Sequence, residues 1–225
     1  FGHTGCIMFN LVAPLEMALF DGVHPLLGEQ IGPHTGDPRG FERFDDFFDA
    51  YVTQLRALVG QAVEANNLLG RAHQRLRPSP LLSAVFQGPM ESGRDVIDGG
   101  AKYNSTGAAM VALSDVVDSL VAIESLVFEH KLIDFGQLIA ALRTDFGGRE
   151  ALLAELMGKQ PKFGQDHPAP QSMAARVQEQ VYELWHEHQN DRGGPYVPGY
   201  WSMSNHVAFG ILSGPLPSGR RRGKS

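Results

Sequence analysis

Across residues 44–76 apolar side chains recur every three or four positions. Phe44, Phe47, Phe48, Tyr51, Leu55, Leu58, Val59, Ala62 and Val63 fall on one face. That period predicts a long amphipathic helix with one buried stripe. Asp45, Asp46 and Asp49 near its start favour the positive end of the helix dipole. Arg43 is a poor N-cap by residue type, and Arg77-Pro78-Ser79-Pro80 stops the pattern. At this spacing the aromatic cluster at the helix head reads as core packing rather than as a binding box.

The same reading extends along the chain. Residues 1–10 read as a glycine-rich loop or short strand, and residues 11–19 as a helix stopped by Asp21-Gly22. Residues 23–40 hold Pro25, Gly28, Gly32, Pro33, Gly36, Pro38 and Gly40, too many breakers for helix or strand. A loop longer than ~12–15 residues inside a domain is usually functional or pinned by a larger assembly. Residues 81–86 read as a strand or one helical turn. Residues 98–107 form a tight glycine loop carrying Lys102, Tyr103 and Asn104, and a helix is predicted from 108 to 130. Further helices are expected at 135–146, 150–157 and 173–189, the last with Val177, Val181, Leu184 and Trp185 inward. Residues 159–171, 193–200 and 214–223 read as loops, and 202–210 as a strand. No internal repeat is visible. Strand signal is sparse, so the pattern alone predicts a mostly helical chain with a few short strands.

Composition narrows the classes. The chain has 225 residues, 43% hydrophobic and 20% charged, with a net charge of −6. That size can bury a real core, and the acidic balance argues against a general nucleic-acid binder. The basic run Arg220-Arg221-Arg222-Gly223-Lys224 reads as a solvated tail. A single cysteine excludes an internal disulfide framework. No apolar run reaches the ~18–20 residues of a membrane span, and no basic segment leads into an apolar core as in a signal peptide. The chain opens in mid-pattern without Met, and both ends read as cuts in a longer protein.

Few constellations suggest chemistry by themselves. His186-Glu187-His188 places its imidazoles two apart, which do not share a helix face. The zinc pattern H-E-x-x-H is absent, so no metal ligand is assigned. Cys6, between Gly5 and Ile7, is the only candidate thiol nucleophile or radical carrier; the alternative is a small residue lining a core strand. Gly99-Gly100-Ala101-Lys102 lacks the spacing of a phosphate loop, and G-x-S-x-G does not occur.

Several blocks in fixed order resemble the glycyl radical enzymes of the pyruvate formate-lyase type. They are Phe9-Asn10-Leu11 with Leu15-Glu16-Met17-Ala18-Leu19 and Asp21-Gly22, the stretch from Gly28 to Pro38, and Asp98 through Gly107. Asp118-Ser119-Leu120, Pro161-Lys162-Phe163-Gly164, Arg192-Gly193-Gly194-Pro195-Tyr196 and the run from Gly214 to Arg220 complete the set. Each block alone is weakly specific; the ordered set is specific and covers nearly the whole chain. The resemblance implies an α/β fold, part of a ten-stranded barrel wrapped by helices, with residues 1–225 as one helix-rich fragment. It implies no bound cofactor but a backbone glycyl radical elsewhere in the parent, installed by a radical S-adenosylmethionine activating enzyme. A thiyl cysteine within Gly-Cys-Val-Glu-Pro would then cleave a C–O, C–N or C–C bond of a small-molecule substrate. It further implies a cytoplasmic homodimer of anaerobic metabolism with no nucleic-acid or membrane partner.

The chain departs from the family pattern in places. Cys6 lies four positions before Asn10 and is followed by Ile7-Met8, so it aligns with the strand leading into Phe9-Asn10 rather than with the thiyl cysteine. The segment like Arg-Val-Ala-Gly-Tyr is missing, Ser218 stands where the family has Asp, and Gln165 where it has Asn. The entrance Gly2-His3-Thr4-Gly5-Cys6 and the loop at 98–104 are closer to the dehydratase and decarboxylase branch. Tyr103 and Asn104 are the candidate substrate-side residues, the alternative being a structural role such as pinning the loop. The fragment alone is expected to be inactive, and the competing expectation is a non-catalytic helical binding or scaffold domain derived from the family.

Overall fold

A computed structural model of the protein describes residues 2–202 and 204–224, with the side chains of residues 4–6 outside that description. Strand β1 (Gly2–Asn10) leads into helix α1 (Val12–Leu19), then the two-residue strands β2 (Val23–His24) and β3 (Glu29–Gln30). The long helix α2 (Phe44–Leu76) follows, then the one-turn helices α3 (Pro80–Ser83) and α4 (Pro89–Ser92), and strand β4 (Asn104–Val111). Next come α5 (Leu113–Ile123), α6 (Phe135–Arg143), α7 (Glu150–Gly158) and α8 (Pro168–His186). Strand β5 (Tyr196–Tyr200) and α9 (His206–Ile211) complete the order. The chain folds as two compact units: Phe1–Phe9, Val59–Met110 and Val181–Trp201 form the first, and Asn10–Leu58, Val111–Gln180 and Ser202–Ser225 the second.

The first unit is built on a sheet with the order β1-β4-β5. Strands β4 and β5 run parallel, with Thr106 opposite Tyr196 and Met110 opposite Tyr200. Residues 108–111, expected to begin a helix, are the buried half of β4. A strand covered on both faces shows a continuous apolar run instead of alternation, which is why Ala108-Ala109-Met110-Val111 looked helical. Ala112 then takes a left-handed backbone, φ +66°, and helix begins only at Leu113. Residues 193–200, expected to be a loop, contain β5. Pro198 and Gly199 disguise it, yet a strand at the sheet edge tolerates proline because one of its sides needs no donor.

The core of this unit is aromatic. Trp185, fully buried on α8, meets Phe9 edge-on at 5.7 Å and Tyr196 at 5.5 Å between ring centroids. Burial leaves the Tyr196 hydroxyl needing partners. Asn66 donates to it at 2.9 Å, and it donates to Asn67 Oδ1 at 2.8 Å. Asn67 also donates to the Gln189 carbonyl, and Gln74 to the Asp191 carboxylate at 2.6 Å. Side-chain amides on the last turns of α2 thus hold the connection between α8 and β5.

In the second unit the aromatic head of α2 is core, as its spacing predicted. Phe44, Phe47, Phe48 and Tyr51 are buried. Phe47 meets Phe135 in a tilted contact at 5.2 Å and Phe44 meets Phe128 edge-on at 6.0 Å between ring centroids. Arg176 covers the Phe48 ring at 3.8 Å and pairs with Asp45 at 2.7 Å, a cation–π contact anchored by an ion pair. The weak cap residue Arg43 is compensated: Asp46 reaches back to accept its backbone N–H at 3.0 Å.

The long segment 23–40 is not wholly irregular. It contains the β2–β3 pair, with Val23 opposite Gln30, and a 3-10 turn at Pro38–Gly40. Asp21, itself at φ +51°, accepts the Thr35 and Gly36 N–H groups at 2.7 and 2.8 Å. Buried Gln54 donates to the Pro33 carbonyl at 2.7 Å and the Thr35 hydroxyl at 3.0 Å. Residues 202–210, expected as a strand, instead enter α9, where the Phe209 N–H bonds the Asn205 carbonyl at 3.1 Å. The segment 81–86 begins in the helical turn α3, and α8 starts earlier than expected because Pro168 and Pro170 fit a first helical turn, where no N–H is needed.

Replacing Tyr196 by Phe keeps the ring stack and strips the two amides of their shared partner. The expected cost is about 1–3 kcal/mol, read as a lowered urea midpoint with unchanged m-value.

Candidate functional site

The glycine loop before β4 is a built structure. Asp95 accepts the Ile97 N–H at 3.0 Å and the Ser79 N–H at 2.7 Å, while its carbonyl takes the Asp98 and Gly100 N–H groups. The Ser83 hydroxyl accepts the Val96 N–H at 2.9 Å, and the Gln87 carbonyl accepts the Lys102 N–H at 3.0 Å. Gly99 sits at φ +77°, and a Cβ on Gly100 would lie 2.1 Å from the Arg94 carbonyl oxygen, so the second glycine is required by space. The loop delivers Tyr103 and Asn104 to the head of β4.

There the polar groups converge on Asn190, 5% exposed. Its Nδ2 donates to the Thr106 hydroxyl at 3.0 Å and to Asn104 Oδ1 at 3.4 Å. Its Oδ1 accepts the Arg192 N–H at 3.0 Å and the Gly194 N–H at 2.9 Å. Arg192 Nη2 donates to the Ser105 carbonyl at 2.9 Å and the Thr106 hydroxyl at 3.2 Å. Burial pulls the Arg192 guanidinium below its usual range, opposed by the nearby Asp191. His3, on the neighbouring strand, joins from the side, its Nδ1 2.7 Å from the Ser105 hydroxyl.

Of the expected site residues, Asn104 is half-buried within this cluster. Tyr103 stands beside it, 58% exposed, with the Lys102 ammonium 5.5 Å from its ring centroid. Cys6 lies on β1, and its side chain is outside the described residues. His186 ends α8 with Nδ1 2.8 Å from the Tyr182 carbonyl. Among the described residues no group of three or more His, Cys, Asp or Glu could hold a metal ion. Asn190 and Thr106 were not anticipated; the signals were that Thr106 lies in the family-like block 98–107 and that Arg192-Gly193-Gly194 is another, which mark constrained segments without saying what they grip.

A second polar cluster lies in the second unit. Glu16 on α1 is 2% exposed, and its Oε1 accepts the Gly214 N–H at 2.5 Å. Arg220 donates to the Gly214 carbonyl at 2.9 Å, and its Nε lies 3.9 Å from Asp115. The Ser119 hydroxyl accepts the Ser218 N–H at 3.2 Å, and Lys162 Nζ donates to the Ser218 carbonyl at 2.9 Å. Burial pushes the Glu16 carboxyl up to about 7, against the pull of the Gly214 N–H and Arg220. Burial also raises Asp115 and Asp118 and lowers Lys162. These residues also come from family-like blocks, at opposite ends of the sequence.

The family model described as pyruvate formate lyase-like matches residues 1–210. The chain belongs to that family. Within it, trans-4-hydroxy-L-proline dehydratase of Clostridioides difficile is 32% identical over 97% of this chain. The chain spans 29% of that relative's length. A crystal structure of hydroxyproline dehydratase from the same organism, with trans-4-hydroxy-L-proline bound, superposes with a TM-score of 0.95. It is 31% identical and covers 100% of this chain and 29% of that one. A glycyl radical enzyme from Archaeoglobus fulgidus gives 0.90 at 35% identity, covering 96% of this chain and 27% of its own. The fold is therefore α/β, a segment of the glycyl radical enzyme barrel, and the helix-rich character is that of this segment.

Within this pyruvate formate lyase-like chain the turn at Gly194 tests the cluster directly. A Cβ there would lie 2.0 Å from Asn104 Oδ1 and 2.6 Å from the Asn104 carbonyl oxygen. Gly194→Ala should destabilise the protein by about 1–3 kcal/mol, measured by denaturant unfolding, because the Asn104 backbone as well as its side-chain tip must yield.

Proposed function

We propose that this chain is part of a glycyl radical lyase of the dehydratase type, one that removes water from a small hydroxylated substrate. The reading rests on one observation: the family match runs over residues 1–210, and its relative with the bound hydroxylated amino acid superposes along the whole chain. Radical chemistry would supply hydrogen-atom abstraction from a substrate carbon. The sequence contains neither Gly-Cys-Val-Glu-Pro nor Arg-Val-Ala-Gly-Tyr. The groups for that step would therefore belong to other parts of a longer protein, and activation by a radical S-adenosylmethionine enzyme is part of this proposal.

The contribution of these residues is positional. Asn104 is engaged by Asn190 and holds the loop, so its role is structural. Tyr103, more than half exposed beside it, is the residue assigned to substrate contact. A rigid loop matters here because a reacting group misplaced by about 1 Å can cost on the order of a hundredfold in rate.

The test uses the full-length protein that carries this chain, activated anaerobically and supplied with short polyols and hydroxylated amino acids. Dehydration accompanied by a glycyl radical signal in electron paramagnetic resonance is the expected result. Tyr103→Phe should raise KM several-fold with radical yield unchanged. The 225-residue chain alone should give no turnover; turnover by it would overturn the assignment of the radical groups to other segments.

A further inference from the structure

Glu16 is a buried acid that the proposed reaction does not use. It sits on α1 with 2% of its surface exposed. Oε1 accepts the Gly214 N–H, while Oε2 has no hydrogen-bond partner among the described residues. The cation beside it is incompletely matched: Arg220 Nε is buried with no hydrogen-bond partner among the described residues, and its ion pair with Asp115 is long, at 3.9 Å. Arg220 instead donates to the carbonyls of Gly214 and Lys224. A carboxylate with one bare oxygen in a buried site is costly, and a neutral carboxyl in the same place, with one unpaired O–H, costs far less. The turn it binds, residues 213–220, is itself tucked in, with Ser213, Leu216 and Ser218 buried.

We propose that Glu16 and the turn at residues 214–220 form a proton-controlled latch: the turn is closed over the neutral acid and opens locally to hydrate the carboxylate. The charged groups facing this site come from each neighbouring element. The turn contributes Arg220 and α5 contributes Asp115, with Asp118 and Lys162 behind them at Phe163 and Ser218. On β2, the other element packed against α1, His24 is occupied by the Leu26 N–H at 3.3 Å. None of these supplies the second oxygen of Glu16 with a donor.

The direction follows from linkage. The acid's ordinary value is 4.5, and burial raises it to about 7 in the closed state. The closed state therefore binds the extra proton between these values. Closure is most stable below the lower one, weakens as pH rises through the interval, and levels off above the upper one. A carboxylate freed to water on opening makes the open fraction grow by about tenfold per pH unit across that window.

Hydrogen exchange of the peptide spanning residues 213–219 in the intact protein, corrected for intrinsic rates, reads this opening. Protection should fall by roughly fortyfold from pH 5 to 7 and level off above that. Glu16→Gln keeps an acceptor for Gly214 and removes the proton, so its protection should be flat with pH. Ser119→Ala loosens the same turn without touching the titrating group; protection should drop at every pH with the slope retained. A flat profile in the unmodified protein, or an unchanged slope in Glu16→Gln, overturns the latch.

Discussion

The head of β4 presents more buried polar atoms than a strand start usually must satisfy, and one side-chain amide settles most of them. Asn190 uses both ends of its amide, taking N–H groups from its own turn and giving hydrogens to Thr106 and Asn104. Arg192 completes the set by donating to the Ser105 carbonyl. A buried polar network is stabilising only when its members are matched. Here that requirement fixes where β5 meets β4, because the Thr106 N–H goes to the Pro195 carbonyl in the same stretch. The glycine loop, the exposed Tyr103 and the parallel pairing all inherit their positions from this knot.

Much of the helical skeleton was legible because it obeys a simple period. Helix α2 begins and ends where its stripe and its prolines said, and Val177, Val181, Leu184 and Trp185 are buried on α8 as expected. Strands β4 and β5 were not legible, for a physical reason. Strand β4 has no polar face to alternate with, and β5 is short and interrupted by Pro198-Gly199. Strand β1 was legible as one of two readings, a glycine-rich loop or a short strand. In α9, a single apolar hexamer carries too little pattern to separate strand from helix.

The site was legible in outline and not in detail. Family-like blocks marked the loop that carries Tyr103 and Asn104, yet Asn190, which bonds Asn104, lies 84 residues from Thr106 along the chain. Local spacing carries no trace of such a contact. The same holds for Glu16, whose neighbours in sequence suggest only a buried helix; its bond to Gly214 joins residues 198 positions apart. The family, by contrast, is legible in ordered short motifs.

The parallel pairing of β4 with β5 also carries a consequence for how the protein is made. Thr106 cannot find Tyr196 until the whole connection between them has been synthesised, and that connection includes α5, α6, α7 and α8. Pairing over such a separation demands a large loop closure before any contact rewards it. The helices of the crossover therefore have the opportunity to form during translation while the apolar strand Ala108–Val111 waits without its partner. That interval, rather than any property of the finished fold, is when this segment is most open to misassociation.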